Sequence, residues 1–350
     1  MRISLMLRAR VVCIIICLLM ALIYANAQNK TPLPVIFETD MGNDVDDALA
    51  LDLLYKYHDE GRIQLLGISN NKNSDYSIPF LQLMNDFYGY PNIPLGNVHN
   101  GANSAGDALD YTKAVVEYSL DSVAPFDSYK YKTSSLESVL LYRKILSAQA
   151  DSSVVLISVG FSTNLVRLLD SKSDAYSSLN GADLVAKKIK YLSVMACTFT
   201  NNWSEYNIQK DTTAARRLFS EWPTKIIVSP YEVGAAILYP ASSIENDLDY
   251  AKHHPLKIAY SSYMKMPYDR PTWDLTAVLF AAEGPQDYFS LSEHGVVSVL
   301  NKGNTTFTAN ANGRHQYLRI DNAQAKKIRE RFIELIQRKP KSGSAIPSRH

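Results

Sequence analysis

Cysteine is scarce in this chain of 350 residues, which has three. Cys13 and Cys17 lie in an N-terminal apolar run and Cys197 stands alone in the remainder, so no intrachain disulfide can brace the protein once that run is removed. An excess of either charge is lacking too: 36 basic residues face 35 acidic ones. Removing residues 1–27 takes away Arg2, Arg8 and Arg10 and no acid, leaving 33 basic against 35 acidic residues and a formal charge of −2. That balance offers no pull on nucleic acid, whose binding rests on neutralising phosphates. Beyond the N-terminal run no stretch could span a bilayer, and no internal repeat recurs at a fixed period.

What the N-terminus does have is a basic flank, an apolar run from Val11 to Ala25, and Ala25-Asn26-Ala27. These predict a secretory signal cut after Ala27 and a secreted or periplasmic mature protein. The run is shorter than the roughly 20 residues a spanning helix needs. Neither Cys13 nor Cys17 is followed by the small polar residues of a lipid-anchored cysteine, so no stable membrane anchor is expected.

The rest is ordinary globular material, 46% hydrophobic and 20% charged over the whole chain, with enough apolar residues for a large core. NKTPLP (29–34) reads as a short linker. Buried strands are expected at 35–37, 63–69, 93–96, 153–160 and 189–196, and in TKIIVSP. Helices are expected in ALALDLLYKYHDEG with Gly61 as its stop, at 77–89, at 134–150 with Ser134 as cap and Glu137 three residues on, after Ser162, in TTAARRLFSEW, and in DLTAVLFAAEG ending at Gly284. Strands alternating with helices predict an α/β protein, a single domain over 30–338 with a mainly parallel central sheet flanked by helices. Residues 97–134 read as a polar, Tyr-rich surface excursion, and 339–350 as a disordered tail.

One stretch resists a purely structural reading. FETDMGNDVDDALAL places Asp40, Asp44, Asp46 and Asp47 within eight positions, between a strand and a helix. In parallel α/β sheets, sites form outside the carboxyl ends of strands. Crowded carboxylates repel unless a cation neutralises them, and hard oxygen donors suit Ca²⁺ or Mg²⁺ better than zinc. An EF-hand is excluded, because no possible loop start places Gly sixth and closes on Glu. The helix dipole accounts for one or two acids near residue 46, but not for Asp40 as well.

TDMGNDVDDALAL resembles the N-terminal signature of the nucleoside hydrolases of inosine-uridine type, usually D-x-D-P-G-x-D-D-A-x-A. Here Glu38 takes the place of the first acid, Met41 that of the proline, and two extra residues precede the Asp-Asp pair. ISVGFSTNL resembles the family's G-x-x-T-N turn through Gly160, Thr163 and Asn164. MACTFTNNWSEYNIQKDTTAA is similar to its E-F-N and D-P-E-A-A segment through Met195, Glu205, Asn207 and Asp211. RPTWDLTAV resembles the late segment, whose acid is Asp274. The four motifs run in order from residue 35 to 280.

The resemblance implies a calcium-dependent hydrolase that splits the N-glycosidic bond of a ribonucleoside into free base and ribose. It further implies a small-molecule substrate and a homo-oligomer, dimer or tetramer. Asp40 would ligate Ca²⁺ and serve as general base to the attacking water; Asp47 and Asp274 would be further ligands, and Thr163 would lend its backbone carbonyl. Asp46 would hold a ribose hydroxyl, with Asp44 a rival because of the insertion. Asn71, Met195, Glu205 and Asn207 would line the sugar; in extended backbone Glu205 and Asn207 would face one side. Blander readings stay open, since Thr163 and Asp274 could be helix caps and Met195 a core methionine. Many members carry, before the late acid, a His proposed to protonate the base. Trp273 stands there, as in a purine-preferring subset whose indole stacks on the base, though a core Trp is the alternative. His99, His253 and His254 could supply another acid, but nothing in their spacing singles them out. The missing His also leaves open a non-catalytic nucleoside- or ribose-binding protein, or a hydrolase of another N-riboside such as nicotinamide riboside.

Overall fold

In a computed structural model, which describes residues 31–102, 110–120, 124–126 and 135–341, the strand leading into the aspartates lies at the heart of the sheet. This strand, β1 (Leu33–Thr39), buries Val35, Ile36 and Phe37 completely and pairs in parallel with β2 (Ile63–Asn70) on one side and β5 (Val154–Ser158) on the other. A strand covered on both faces needs a continuous apolar run, which the β-branched sequences of β1 and β5 provide. Outward from β2 come β3 (Leu95–Asn97) and β4 (Leu136–Glu137); outward from β5 come β6 (Ile189–Met195) and β7 (Lys225–Ser229). After a separate antiparallel pair, β8 (Leu238–Tyr239) and β9 (Arg270–Pro271), the chain supplies β10 (Ser290–Leu291), β11 (Gly295–Val299), β12 (Thr305–Ala309) and β13 (His315–Arg319).

Among the described residues the main sheet has eleven strands. From β13 through β7, β6, β5, β1, β2 and β3 to β4 every pairing is parallel, while β10, β11 and β12 are antiparallel additions at the β13 end. The unit beginning at Leu33 therefore has the expected α/β architecture, with helices packed on the sheet. Two departures concern reach. Residues 285–338, for which no elements were expected, hold the antiparallel extension and a capped helix, Asn322–Ile336. The helix expected from 134 spans Ser138–Ser147 and takes Glu137 itself as cap, its carboxylate accepting from the amides of Val139 and Leu140; Ser134 lies outside the described residues. So do the N-terminal run, most of 103–134 and most of the tail, although the excursion does include a short helix, Tyr111–Val116. Among the described residues no helix is long and apolar enough to cross a membrane.

Strand order places the site. From β1 the chain winds outward through β2, β3 and β4, then returns to lay β5 on the other side of β1. That reversal opens a crevice beyond the carboxyl ends of β1 and β5, the place where open α/β sheets hold ligands. Phe37 anchors this end of β1, and Phe37→Ala is expected to cost about 3–5 kcal/mol. The shift should appear as a lower midpoint of denaturant unfolding with the slope unchanged.

Candidate active site

Beyond Thr39 the chain leaves the sheet and turns at Gly42, whose φ of +114° suits a residue without a side chain. The loop then enters the helix Asp46–Asp59. Asp40 is 4% exposed, Asp46 and Asp47 are each 1% exposed, and Asp274, the second residue of the helix Trp273–Glu283, is 4% exposed. All four line one cavity of about 290 Å³, so acids from positions 40–47 and 274 are brought together as expected. The backbone amide of Asp274 donates to Asp46 Oδ2 at 3.1 Å, joining the two helix starts directly. Thr39 Oγ1 donates to Asp47 Oδ1 and Asn43 Nδ2 to Asp40 Oδ2.

Burial and repulsion set the electrostatics. Burial pushes Asp40 up to about 6, held back in part by the Asn43 hydrogen bond and the charge of Lys72. Asp47 is raised by burial and then by Asp40 and Asp46, and Asp274 by burial and then by Asp46, Asp47 and Asp40. Asp46 is raised by burial and by Asp44. The acids are hard oxygen donors carrying more negative charge than the protein compensates, which in kind fits a hard divalent cation. Among the described residues no three acidic, His or Cys side chains are drawn up as a finished metal-holding group. Beneath them Glu38 is fully buried near Asn164, Tyr142 and Asn71, and burial pushes it up to about 8, toward its protonated form.

The remaining residues divide. Met195, at the end of β6, lines the cavity, as do Glu205 and Asn207. Their geometry is not the expected one: Glu205 caps a short helix, Tyr206–Lys210, through the amides of Asn207 and Ile208, and Asn207 lies within that helix. The Asn207 amide reaches back to the Val159 carbonyl at 3.1 Å and the Met195 carbonyl at 3.4 Å, tying two strand ends together. Burial raises Glu205 to about 7. Asn71 sits behind Gly160, its Nδ2 donating to the Phe161 carbonyl at 2.9 Å. Thr163 is not among the residues lining the cavity; it opens the helix Thr163–Asp170, and its hydroxyl donates to Asp211 at 2.7 Å. Val159, at the end of β5, lines the cavity instead. Asp44 also lines it, but its carboxylate is held by Arg270, which leaves Asp46 as the loop's buried acid facing Asp274.

An aromatic wall lines the same cavity. Trp273 lines the cavity, stacked on Tyr231 with ring centroids 5.4 Å apart, and Tyr206 and Tyr263 line it too. Gly234 lets the Tyr231–Ala235 helix approach this closely, since a Cβ there would lie 2.3 Å from Trp273 Cα. No histidine is among the lining residues; His254 is buried against Tyr250, and His253 packs near Tyr118. Sequence reasoning missed Tyr231, Tyr263, Arg270 and Asn43. Tyr231 follows the β7 end, so the strand-end rule could have found it. Nothing local marked Tyr263 or Arg270.

Gly160 offers a direct probe. A Cβ there would come within 2.7 Å of Asp40 Oδ1 and 2.6 Å of Asn71 Oδ1. Gly160→Ala is expected to displace Asp40 and lower turnover about 100-fold, the scale of a 1 Å misplacement. The fold should survive, as judged by an unchanged circular dichroism spectrum.

Comparison with known proteins identifies the family and the fold. The sequence model of the family described as inosine-uridine preferring nucleoside hydrolase matches residues 35–331. Among solved structures, the inosine-uridine preferring nucleoside hydrolase from Bacillus anthracis superposes with a TM-score of 0.66 at 18% identity, covering 87% of this chain and 99% of that one. The purine-preferring ribonucleoside hydrolase from Gardnerella vaginalis gives 0.66 at 16% identity, covering 87% and 98%. A plant nucleoside hydrolase, PpNRh1, gives 0.64 at 17%, covering 87% and 98%. None of the curated proteins matches the chain in sequence. A family-model match over residues 35–331, most of the chain, means that the chain belongs to the inosine-uridine preferring nucleoside hydrolase family and is an N-glycosyl hydrolase.

Proposed function

We propose that this protein is an exported, calcium-dependent hydrolase of ribonucleosides that favours purine bases. The observation that carries this reading is that buried carboxylates and aromatic rings line one and the same cavity. A ribonucleoside has the matching halves, a hydroxyl-rich sugar and a flat base. Export is supported by the basic flank, apolar run and Ala-x-Ala site of residues 1–27.

Asp40, Asp47 and Asp274 would hold the calcium, which supplies orientation of the ribose 2′- and 3′-hydroxyls and of the attacking water. Asp40, at the end of the central strand, takes the proton from that water as it attacks the anomeric carbon. Asp46, already fixed by the Asp274 amide, accepts a hydrogen bond from a ribose hydroxyl. Glu205 and Asn207, at the start of the Tyr206–Lys210 helix, grip the sugar from another part of the cavity lining. The glycosidic bond breaks with positive charge growing on the ribose, which the surrounding carboxylates stabilise, while the base leaves with the bonding electron pair and takes its proton from solvent, no histidine being among the lining residues. Trp273, with Tyr231 behind it, offers its ring system to the base, and a purine presents more area to it than a pyrimidine.

Offered inosine, adenosine, guanosine, uridine and cytidine, the mature protein is expected to release free base and ribose, fastest from the purine nucleosides. Chelation should abolish turnover, and calcium should restore it together with a higher melting temperature. Nucleoside binding by calorimetry without product from any of the five would select the non-catalytic reading instead.

The pH dependence has a definite sign. Burial raises Asp40 to about 6, and a general base works only when ionised. So kcat/KM should fall about tenfold per pH unit on the acid side of a limb at or below about 6, and be level above it; a bound cation moves that limb to lower pH. Asp40→Asn should lower kcat by about 10²- to 10⁴-fold and remove the limb. A profile that keeps the limb in Asp40→Asn would assign the base elsewhere.

A further inference from the structure

We infer that Arg270 is a positioning residue for the hydrolysis, holding the 40–47 loop and the aromatic wall in register through Asp44, Tyr263 and Trp273. This rests on the reading of the cavity as a nucleoside site. Arg270 belongs to β9 and precedes Asp274 by four residues. Its guanidinium makes a two-point pair with Asp44, Nε donating to Oδ1 at 2.9 Å and Nη2 to Oδ2. Nη2 also donates to the Tyr263 hydroxyl at 2.9 Å. The guanidinium carbon lies 5.0 Å from the Tyr263 ring centroid and 5.2 Å from that of Trp273. Asp44, Tyr263 and Trp273 all line the cavity, so one side chain touches its acidic and its aromatic wall.

The chemistry of the contact matters more than its charge. A forked pair fixes the plane of both partners, and a planar cation stacks on rings; a lysine ammonium does neither as well. Asp44 lies in the two-residue insertion between Asp40 and Asp46, and the Asp46 amide approaches Asp44 Oδ1 at 3.5 Å. Arg270 thus ties the loop carrying Asp40, Asp46 and Asp47 to the segment that launches Trp273 and Asp274, across 226 positions of sequence. The pair is partly shielded, Arg270 being 19% and Asp44 28% exposed, so solvent does not dissolve it as it does a fully open surface pair.

The test uses Arg270→Ala, Arg270→Lys, Asp44→Ala and the Arg270→Ala/Asp44→Ala double variant of the mature protein, with hydrogen exchange and steady-state kinetics on inosine. In Arg270→Ala the amides of 40–47 and 272–275 should exchange faster. They should be unchanged in Arg217→Ala, which breaks only an exposed pairing with Asp170 and Glu221. Each single alanine variant should lose about 10- to 100-fold in kcat/KM, with kcat falling, and the double variant no more than the worse single. Arg270→Lys should recover little of it. Unchanged exchange at 40–47 in Arg270→Ala, full recovery by lysine, or losses that multiply in the double variant would overturn the inference. If Arg270→Ala does not fold, Asp44→Asn carries the same expectations. A parent protein that cleaves no nucleoside would end the functional reading, while the exchange measurement would still decide whether Arg270 holds the loop.

Discussion

Four carboxylates buried in one cavity repel one another, and much of the molecule around them serves to keep them there. Asp40, Asp46, Asp47 and Asp274 are each at most 4% exposed, and each is pushed toward its protonated form first by burial and then, for Asp47 and Asp274, by the other acids. Because their folded pKa values lie above the unfolded ones, their protonated forms favour the fold. They cost stability as pH rises from the ordinary carboxylate range through about 6 and beyond. A protein holds such a cluster only if the large apolar core outweighs it, or if a cation is bound there. The core beneath is extensive, with β1, β5 and the helix Asp46–Asp59 almost wholly buried.

The sheet turns this repulsion into a site. β1 and β5 lie side by side although more than a hundred residues separate them, and their carboxyl ends face the same crevice as those of β6 and β7. Each strand end contributes a different function: the acidic loop after β1, Val159 and Gly160 after β5, Met195 at the end of β6, and Tyr231 after β7. Asn207 ties two of these ends together by reaching the carbonyls of both Val159 and Met195. Glu38, two residues before Asp40, is likewise pushed by burial toward its protonated form, which limits the charge it adds to the cluster.

The aromatic wall balances the acidic one. Trp273 and Asp274 are consecutive at the start of one helix, so a ring and a carboxylate are delivered to one cavity by the same backbone segment. Tyr231 is brought against Trp273 only because Gly234 leaves room for the neighbouring helix. These contacts restrain the indole within the cavity lining.

The sequence by itself determined the alternation of strands and helices, the parallel character of the sheet, and the concentration of acids after the first strand. These are local matters, settled by apolar periodicity, chain-stopping glycines and the clustering of like charges. The four ordered motifs also marked Asp40, Asp46, Asp47, Met195, Glu205, Asn207, Trp273 and Asp274, all of which line the cavity. Tertiary structure alone decided what each one touches. Asp44 and Asp46 are chemically identical and two positions apart, yet Arg270 claims the first and the Asp274 amide the second. Thr163 is turned to Asp211, and Glu205 and Asn207 belong to a helix start where an extended segment was expected. Tyr263 and Arg270 carry no local sign of their part. Arg270 reaches Asp44 across 226 positions and Tyr231 meets Trp273 of another helix, and a side chain's destination follows from packing and charge brought together only when the chain closes on itself.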